Sequence, residues 1–127
     1  MIVVDTSAIM AVLLREEAAA NVRAVLETTP ARLISAGTMT ELLVVATGRR
    51  FLHALRTLLD SMPMEVAPVD ASQAQACGDC FARWGKGQHK AGLNFGDCFA
   101  YALAKSRDLP LLYVGDDFAQ TDVRSVL

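Results

Sequence analysis

Four acidic residues stand where an apolar run meets a turn or a helix, and gathered in one cleft they would suit metal-assisted attack on a phosphodiester. Asp5 directly follows Ile2-Val3-Val4, and Glu41 leads the apolar part of TMTELLVVAT at 38–47. Asp97 lies in the first turn of a helical stretch, and Asp116 follows Leu111-Leu112-Tyr113-Val114 after one glycine. Each acid alone has an ordinary use, capping a helix or shaping a turn. Together they repel one another, and their pKa values rise unless a cation compensates. Magnesium or manganese answers that need, being hard cations satisfied by carboxylate oxygens and water. One or two such ions would polarise a phosphate, lower the pKa of an attacking water and stabilise the leaving oxygen. Thr6 and Ser7 could orient a ligand there or simply cap the first helix.

The elements must bring these acids to one place. Ile2 to Val4 reads as a strand, followed by the polar triplet Asp5-Thr6-Ser7 and a helix from Ala8 to Leu14. A second helix over Glu16–Glu27 stops before Pro30, and Arg32–Ser35 reads as the next strand. Thr38–Thr47 favours helix over strand despite Val44-Val45, with Thr38 able to cap it. Arg50–Leu59 is an amphipathic helix, and 62–69 is an extended segment between two prolines. Asp70 caps a helix running toward Trp84, glycines 85 and 87 open a loop that closes at Asn94, and Gly96–Ser106 and Leu109–Val114 form the last helix and strand. Short apolar strands alternating with helices predict an α/β fold, a mostly parallel sheet covered on both faces. In such a sheet the functional edge lies beyond the carboxyl ends of the strands. Asp5, Glu41 and Asp116 fall there, and Asp97 joins them if its helix starts at the same end.

The chain has 127 residues, 53% of them apolar and 20% charged. That length suits one domain with a real core, and the apolar excess predicts that some of this surface lies in a subunit interface. The formal charge of -2 leaves any nucleic-acid contact to a local patch, a metal or a partner. The opening MIVVDTSAIMAVLLREE contains neither a membrane span nor a secretory signal. Three cysteines, an odd set, agree with a reducing, cytoplasmic setting and no disulfide scaffold.

Other residues invite a functional reading. Arg83, Lys86, His89 and Lys90 lie in an interval free of acids and could hold RNA phosphates, with Trp84 as a stacking face or as a core residue. His53, on a leucine-rich helix, reads as structural. Cys77 and Cys80 have the spacing of a metal or redox pair but no second pair, and Cys98 reads as buried beside the Asp97 turn.

Four segments, VVDTSAIMAVLLRE, TMTELLVVA, LNFGDCFAYALAK and LLYVGDDFAQTDV, in this order along nearly the whole chain, resemble the PIN-domain toxins of VapC type. The resemblance implies a single PIN domain over 1–127, a three-layer α/β fold with a central mostly parallel sheet flanked by helices. It implies a Mg2+- or Mn2+-dependent endoribonuclease, usually a homodimer, forming the toxin half of a type II toxin-antitoxin system. Structured transfer or ribosomal RNA would be its substrate, cut to 5′-phosphate and 3′-hydroxyl ends. Its partner would be a VapB-type antitoxin, through which alone it would meet DNA. Asp5, Glu41 and Asp97 match the family's three firm metal-site acids. Asp116 is taken as the more variable fourth, with Asp117 as competitor, and Thr6 and Ser7 match the polar positions after the first acid. Two alternatives share these residues: a noncatalytic binding module of the same fold, and a phosphatase or DNA nuclease using the same cations.

Overall fold

The computed structural model describes residues 1–127. Four strands, β1 (Ile2–Val4), β2 (Arg32–Ser35), β3 (Glu65–Ala67) and β4 (Leu111–Leu112), form one sheet in the order β3-β2-β1-β4. Every pairing is parallel, with Val3 opposite both Leu33 and Leu111 and Ser35 opposite Ala67. Six helices connect and cover them: α1 (Thr6–Leu13), α2 (Ala19–Thr28), α3 (Ala36–Gly48), α4 (Leu52–Ser61), α5 (Ala71–Trp84) and α6 (Phe95–Arg107).

The period of two along a strand divides the core. Val3, Leu33 and Leu111 face one layer and pack with Trp84, Leu93, Tyr101 and Leu103 of α5, α6 and the loop between them. Ile2, Val4, Ile34 and Leu112 face the other and pack with Ile9, Leu26, Leu42 and Leu55 of α1 to α4. Sheets buried on both faces are expected of parallel strands whose crossovers are helices. The three-layer arrangement anticipated from the sequence is therefore present.

Boundaries moved where a backbone group found a local partner. Asp5, not Thr6 or Ser7, caps α1, which starts at Thr6. Ser35 rather than Thr38 caps α3 by accepting from the Gly37 amide, and Thr38 is buried inside the helix. Arg15 and Arg50 take positive φ, 54° and 63°, where α1 and α3 close, and α2 and α4 begin later than expected, at Ala19 and Leu52. The anticipated strand over Leu109–Val114 shrinks to two residues. Its end is set by Val114, whose amide donates to Ser7 Oγ at 3.0 Å instead of to a strand. On its outer side Leu111 pairs with the C-terminal tail through the Arg124 carbonyl and the Val126 amide. No helix is long and apolar enough to cross a membrane.

Candidate active site

The carboxyl edge of the sheet carries the site. The Asp5 amide donates to the Leu112 carbonyl at 3.0 Å, so the residue after β1 is still tied to β4. Its side chain is only 2% exposed. Oδ2 accepts from the Ser7 amide at 3.0 Å and from Ser7 Oγ at 2.6 Å. Oδ1 is buried without any partner. Ser7 Oγ thus accepts from Val114 while donating to Asp5, joining the ends of β1 and β4 through one hydroxyl.

Asp97 follows the same division of labour. It is the third residue of α6 and half of a capping box: Oδ2 accepts from the Asn94 amide at 2.9 Å, and Asn94 Oδ1 accepts from the Asp97 amide at 2.9 Å. That Asn-Phe-Gly-Asp spacing is the signature of a capped helix start, so Asn94 both closes the loop and opens α6. Capping and site membership are therefore compatible for both aspartates, because a carboxylate has two oxygens and each cap uses Oδ2.

Asp5, Ser7, Asp97, Asp116 and Asp117 line one cavity of about 280 Å³ with Val114, Gly115 and Phe118. Gly115, at φ 111°, lets the chain turn sharply after β4 so that the two loop aspartates come round to Asp97. Burial raises the Asp5 pKa to about 6, opposed by the Ser7 hydrogen bonds and assisted by the Glu41 charge. Burial likewise raises Asp97 to about 6, opposed by the Asn94 amide and assisted by the charges of Asp5, Asp117 and Glu41. Both loop acids line the cavity with Asp97, and the charge of Asp117 is among those that raise its pKa.

Glu41 stands at the margin. Its Oε1 accepts from Thr6 Oγ1 at 2.5 Å, and its carboxylate packs against Gly96, where a Cβ would collide with it. It lines an adjoining groove of about 520 Å³ with Thr40, Val44, Phe95 and Phe99. Its charge nonetheless reaches both Asp5 and Asp97.

The donor set suits a hard divalent cation. A buried carboxylate oxygen without a partner, beside a second carboxylate whose ionisation is opposed by its neighbours, is stabilised by positive charge. No group of three or more acidic, histidine or cysteine side chains is arranged to hold a metal ion, so a cation here would rest on one or two carboxylates. Water would complete the shell, as Mg2+ ordinarily requires.

The basic interval is only partly free. Arg83 pairs with Asp122 at 3.5 Å and lies 4.5 Å over the Trp84 ring. Trp84 is buried, and its Nε1 donates to Tyr101 Oη at 2.9 Å, so it is a core residue rather than a stacking face. His89 accepts the Ala91 amide at Nδ1 and packs edge-on against Trp84. Lys86 and Lys90 are exposed and make no ion pair. Cys98 is buried beside the Asp97 turn, its thiol donating to the Asn94 carbonyl at 3.4 Å. His53 is exposed on α4.

Residues 2–124 match the family model described as PIN domain. The chain is 40% identical over 127 residues to "Ribonuclease VapC" of Mycolicibacterium smegmatis, an alignment covering 98% of each protein. Among solved structures it is similar to Mycobacterium tuberculosis VapC20, titled a sarcin-ricin loop cleaving toxin, with TM-score 0.79 and 18% identity over 99% of this chain and 98% of that one. It is similar also to VapBC2 of Rickettsia felis, bound in that structure to a DNA fragment from its promoter, with TM-score 0.71 and 13% identity over 98% and 96% of the two chains.

Proposed function

Since the chain belongs to the PIN-domain family and to its VapC ribonucleases, we propose that it is the toxin of a toxin-antitoxin pair and hydrolyses RNA at the Asp5–Asp97 pocket with Mg2+ or Mn2+. The observation that carries this reading is the free, buried Oδ1 of Asp5 beside a second raised aspartate at the carboxyl edge of a parallel sheet. Asp5 and Asp97 would hold the cation, with Glu41 and one of Asp116 and Asp117 completing the acidic set. When bound, one or two such ions supply positive charge to the phosphate and ease ionisation of the attacking water.

The remaining residues position. Ser7 holds Asp5 by its Oδ2 and keeps Oδ1 turned away from the helix cap. Thr6 holds Glu41 in the same manner, and Asn94 holds Asp97. Attack of water at phosphorus with departure of the 3′ oxygen would leave 5′-phosphate and 3′-hydroxyl ends. Lys86 and Lys90 are the members of the basic interval available to RNA phosphates, because Arg83 and His89 are engaged elsewhere. Structured transfer or ribosomal RNA is the expected substrate, and a VapB-type antitoxin the expected partner that blocks the site.

A homodimer is part of the same reading. Val44 and Phe95, 66% and 78% exposed, border the groove beside Glu41. Phe95 and Phe99 continue into a second apolar groove of about 550 Å³ that ends at Phe81. An apolar face of this extent fits a subunit contact better than open solvent.

The test is cleavage of total cellular RNA by purified, antitoxin-free protein in Mg2+ or Mn2+, with 5′ ends mapped. Discrete cuts bearing 5′-phosphate, lost in EDTA and in Asp97→Asn, are expected. Folded, metal-loaded protein that cuts no RNA would overturn the ribonuclease assignment and favour a binding module. Equal cutting of DNA would favour the broader nuclease alternative.

A further inference from the structure

The loop bearing Asp116 and Asp117 is fastened at its far end by a residue outside the acidic pocket. Asp122 Oδ1 accepts from Tyr101 Oη at 2.5 Å, and that same oxygen of Tyr101 accepts from Trp84 Nε1 at 2.9 Å. Asp122 Oδ2 pairs with Lys105 at 3.3 Å and with Arg83 at 3.5 Å. Helices α5 and α6 therefore both grip one carboxylate, and the grip is rooted in the buried rings of Trp84 and Tyr101.

The root lies close to the site along the helix. Tyr101 is four residues after Asp97 on α6, so the two share a helix face one turn apart. Between Gly115 and Asp122 the loop has one buried side chain, Phe118, packed on Tyr113 with ring centres 5.2 Å apart. Asp116 and Asp117 are exposed and make no hydrogen bond of their own through their side chains. The loop is held at its start by the Val114 amide on Ser7, in its middle by Phe118 and the backbone turn at 117–121, and at its far end by what holds Asp122.

We propose that Asp122 is a positioning residue for the metal-binding acids: bridging Tyr101 of α6 to the Asp116–Asp117 loop, it fixes those carboxylates against Asp97. The inference rests on the reading of that pocket as a divalent-cation site. The Tyr101 phenol donates to Asp122 Oδ1, and burial pushes its pKa up to about 12. The bland use of Asp122 is a surface ion-pair cluster tethering the tail. Such pairs contribute little to stability when their partners are as exposed as Arg83, 63%, and Asp122, 38%. A tether alone would therefore change neither the stability nor the metal affinity much, whereas an anchor changes the affinity far more than the stability.

Mn2+ binding measured by calorimetry on the full chain separates the two. Residues that hydrogen-bond a metal ligand directly typically contribute about 10- to 100-fold in affinity or activity, which is the upper bound for an anchor one step further away. Asp122→Ala is expected to weaken Mn2+ binding by up to that factor, and Tyr101→Phe to weaken it in the same direction, with circular dichroism confirming that both remain folded. Arg124→Ala, which breaks the nearby tail contact to Asp108, is expected to bind Mn2+ as wild type does. Folded Asp122→Ala that binds Mn2+ as tightly as wild type overturns the anchor, whatever the RNA result. Wild type that binds Mn2+ and cuts no RNA sinks the ribonuclease reading, while a weakened Asp122→Ala would still uphold the anchor.

Discussion

Asp5 and Asp97 each give Oδ2 to a helix cap, and at Asp5 the second oxygen is left buried and unpartnered. That arrangement costs folding stability and has a definite pH signature. The Asp5 pKa is about 6 in the folded chain against an ordinary 3.8, so the folded state holds a proton that the unfolded state releases. The resulting stability is fully present below about pH 3.8 and is lost as pH rises through about 6. The difference corresponds to roughly 3 kcal/mol at most. Asp5→Asn, which keeps a capping oxygen and removes the charge, should melt higher than wild type at pH 8 in EDTA and lose RNA cleavage; a lower melting temperature would contradict the burial account. Ser7→Ala removes the hydroxyl that serves both Asp5 and the Val114 amide. It should cost about 1–3 kcal/mol in denaturant unfolding and lower activity too.

At the scale of elements, the start of α6 is where packing and chemistry meet. Gly96 lies against the Glu41 carboxylate of α3, and any side chain there must displace it. Gly96→Ala should therefore destabilise the fold by about 1–3 kcal/mol and cut RNA cleavage sharply, with the thermal melt and the cleavage rate measured on the same preparation. Normal activity in that variant would mean that Glu41 is dispensable. The helix itself was legible in the sequence, as were the strand at Ile2–Val4, the Asp70 cap and the order of every element. The two-residue extent of β4 was not, because Val114 leaves the strand for a hydroxyl 107 residues away in sequence. The Ser35 cap was equally hidden, since Thr38 is just as competent by residue type.

For the whole molecule, the apolar excess of the composition is resolved into two cores and one uncovered face. Leu42, Leu55 and Leu58 of α3 and α4 are buried in the core, and of the large hydrophobics left exposed Val44, Phe81 and Phe95 border the two joined apolar grooves. Sedimentation at micromolar concentration should give twice the chain mass of 13.7 kDa. Replacing the exposed ring in Phe95→Asp should yield a monomer that still folds. A wild-type monomer across that concentration range would remove the dimer from the proposed function and leave the face to the antitoxin.

By residue type and order alone, the chain determined its α/β class, its family resemblance and the acids worth examining, because helix and strand periods, capping residues and motif segments are local properties. Only the tertiary structure decided that Asp97 shares a pocket with Asp5, since that depends on which end of the sheet α6 starts from. It also brought Asp116 and Asp117 together into that pocket, paired Arg83 with Asp122 and His89 with the Ala91 amide, and tied Asp122 to Tyr101. Apart from the His89 bond, each of these is a contact between residues distant in sequence, where distance and burial set the interaction and residue spacing carries no information about either.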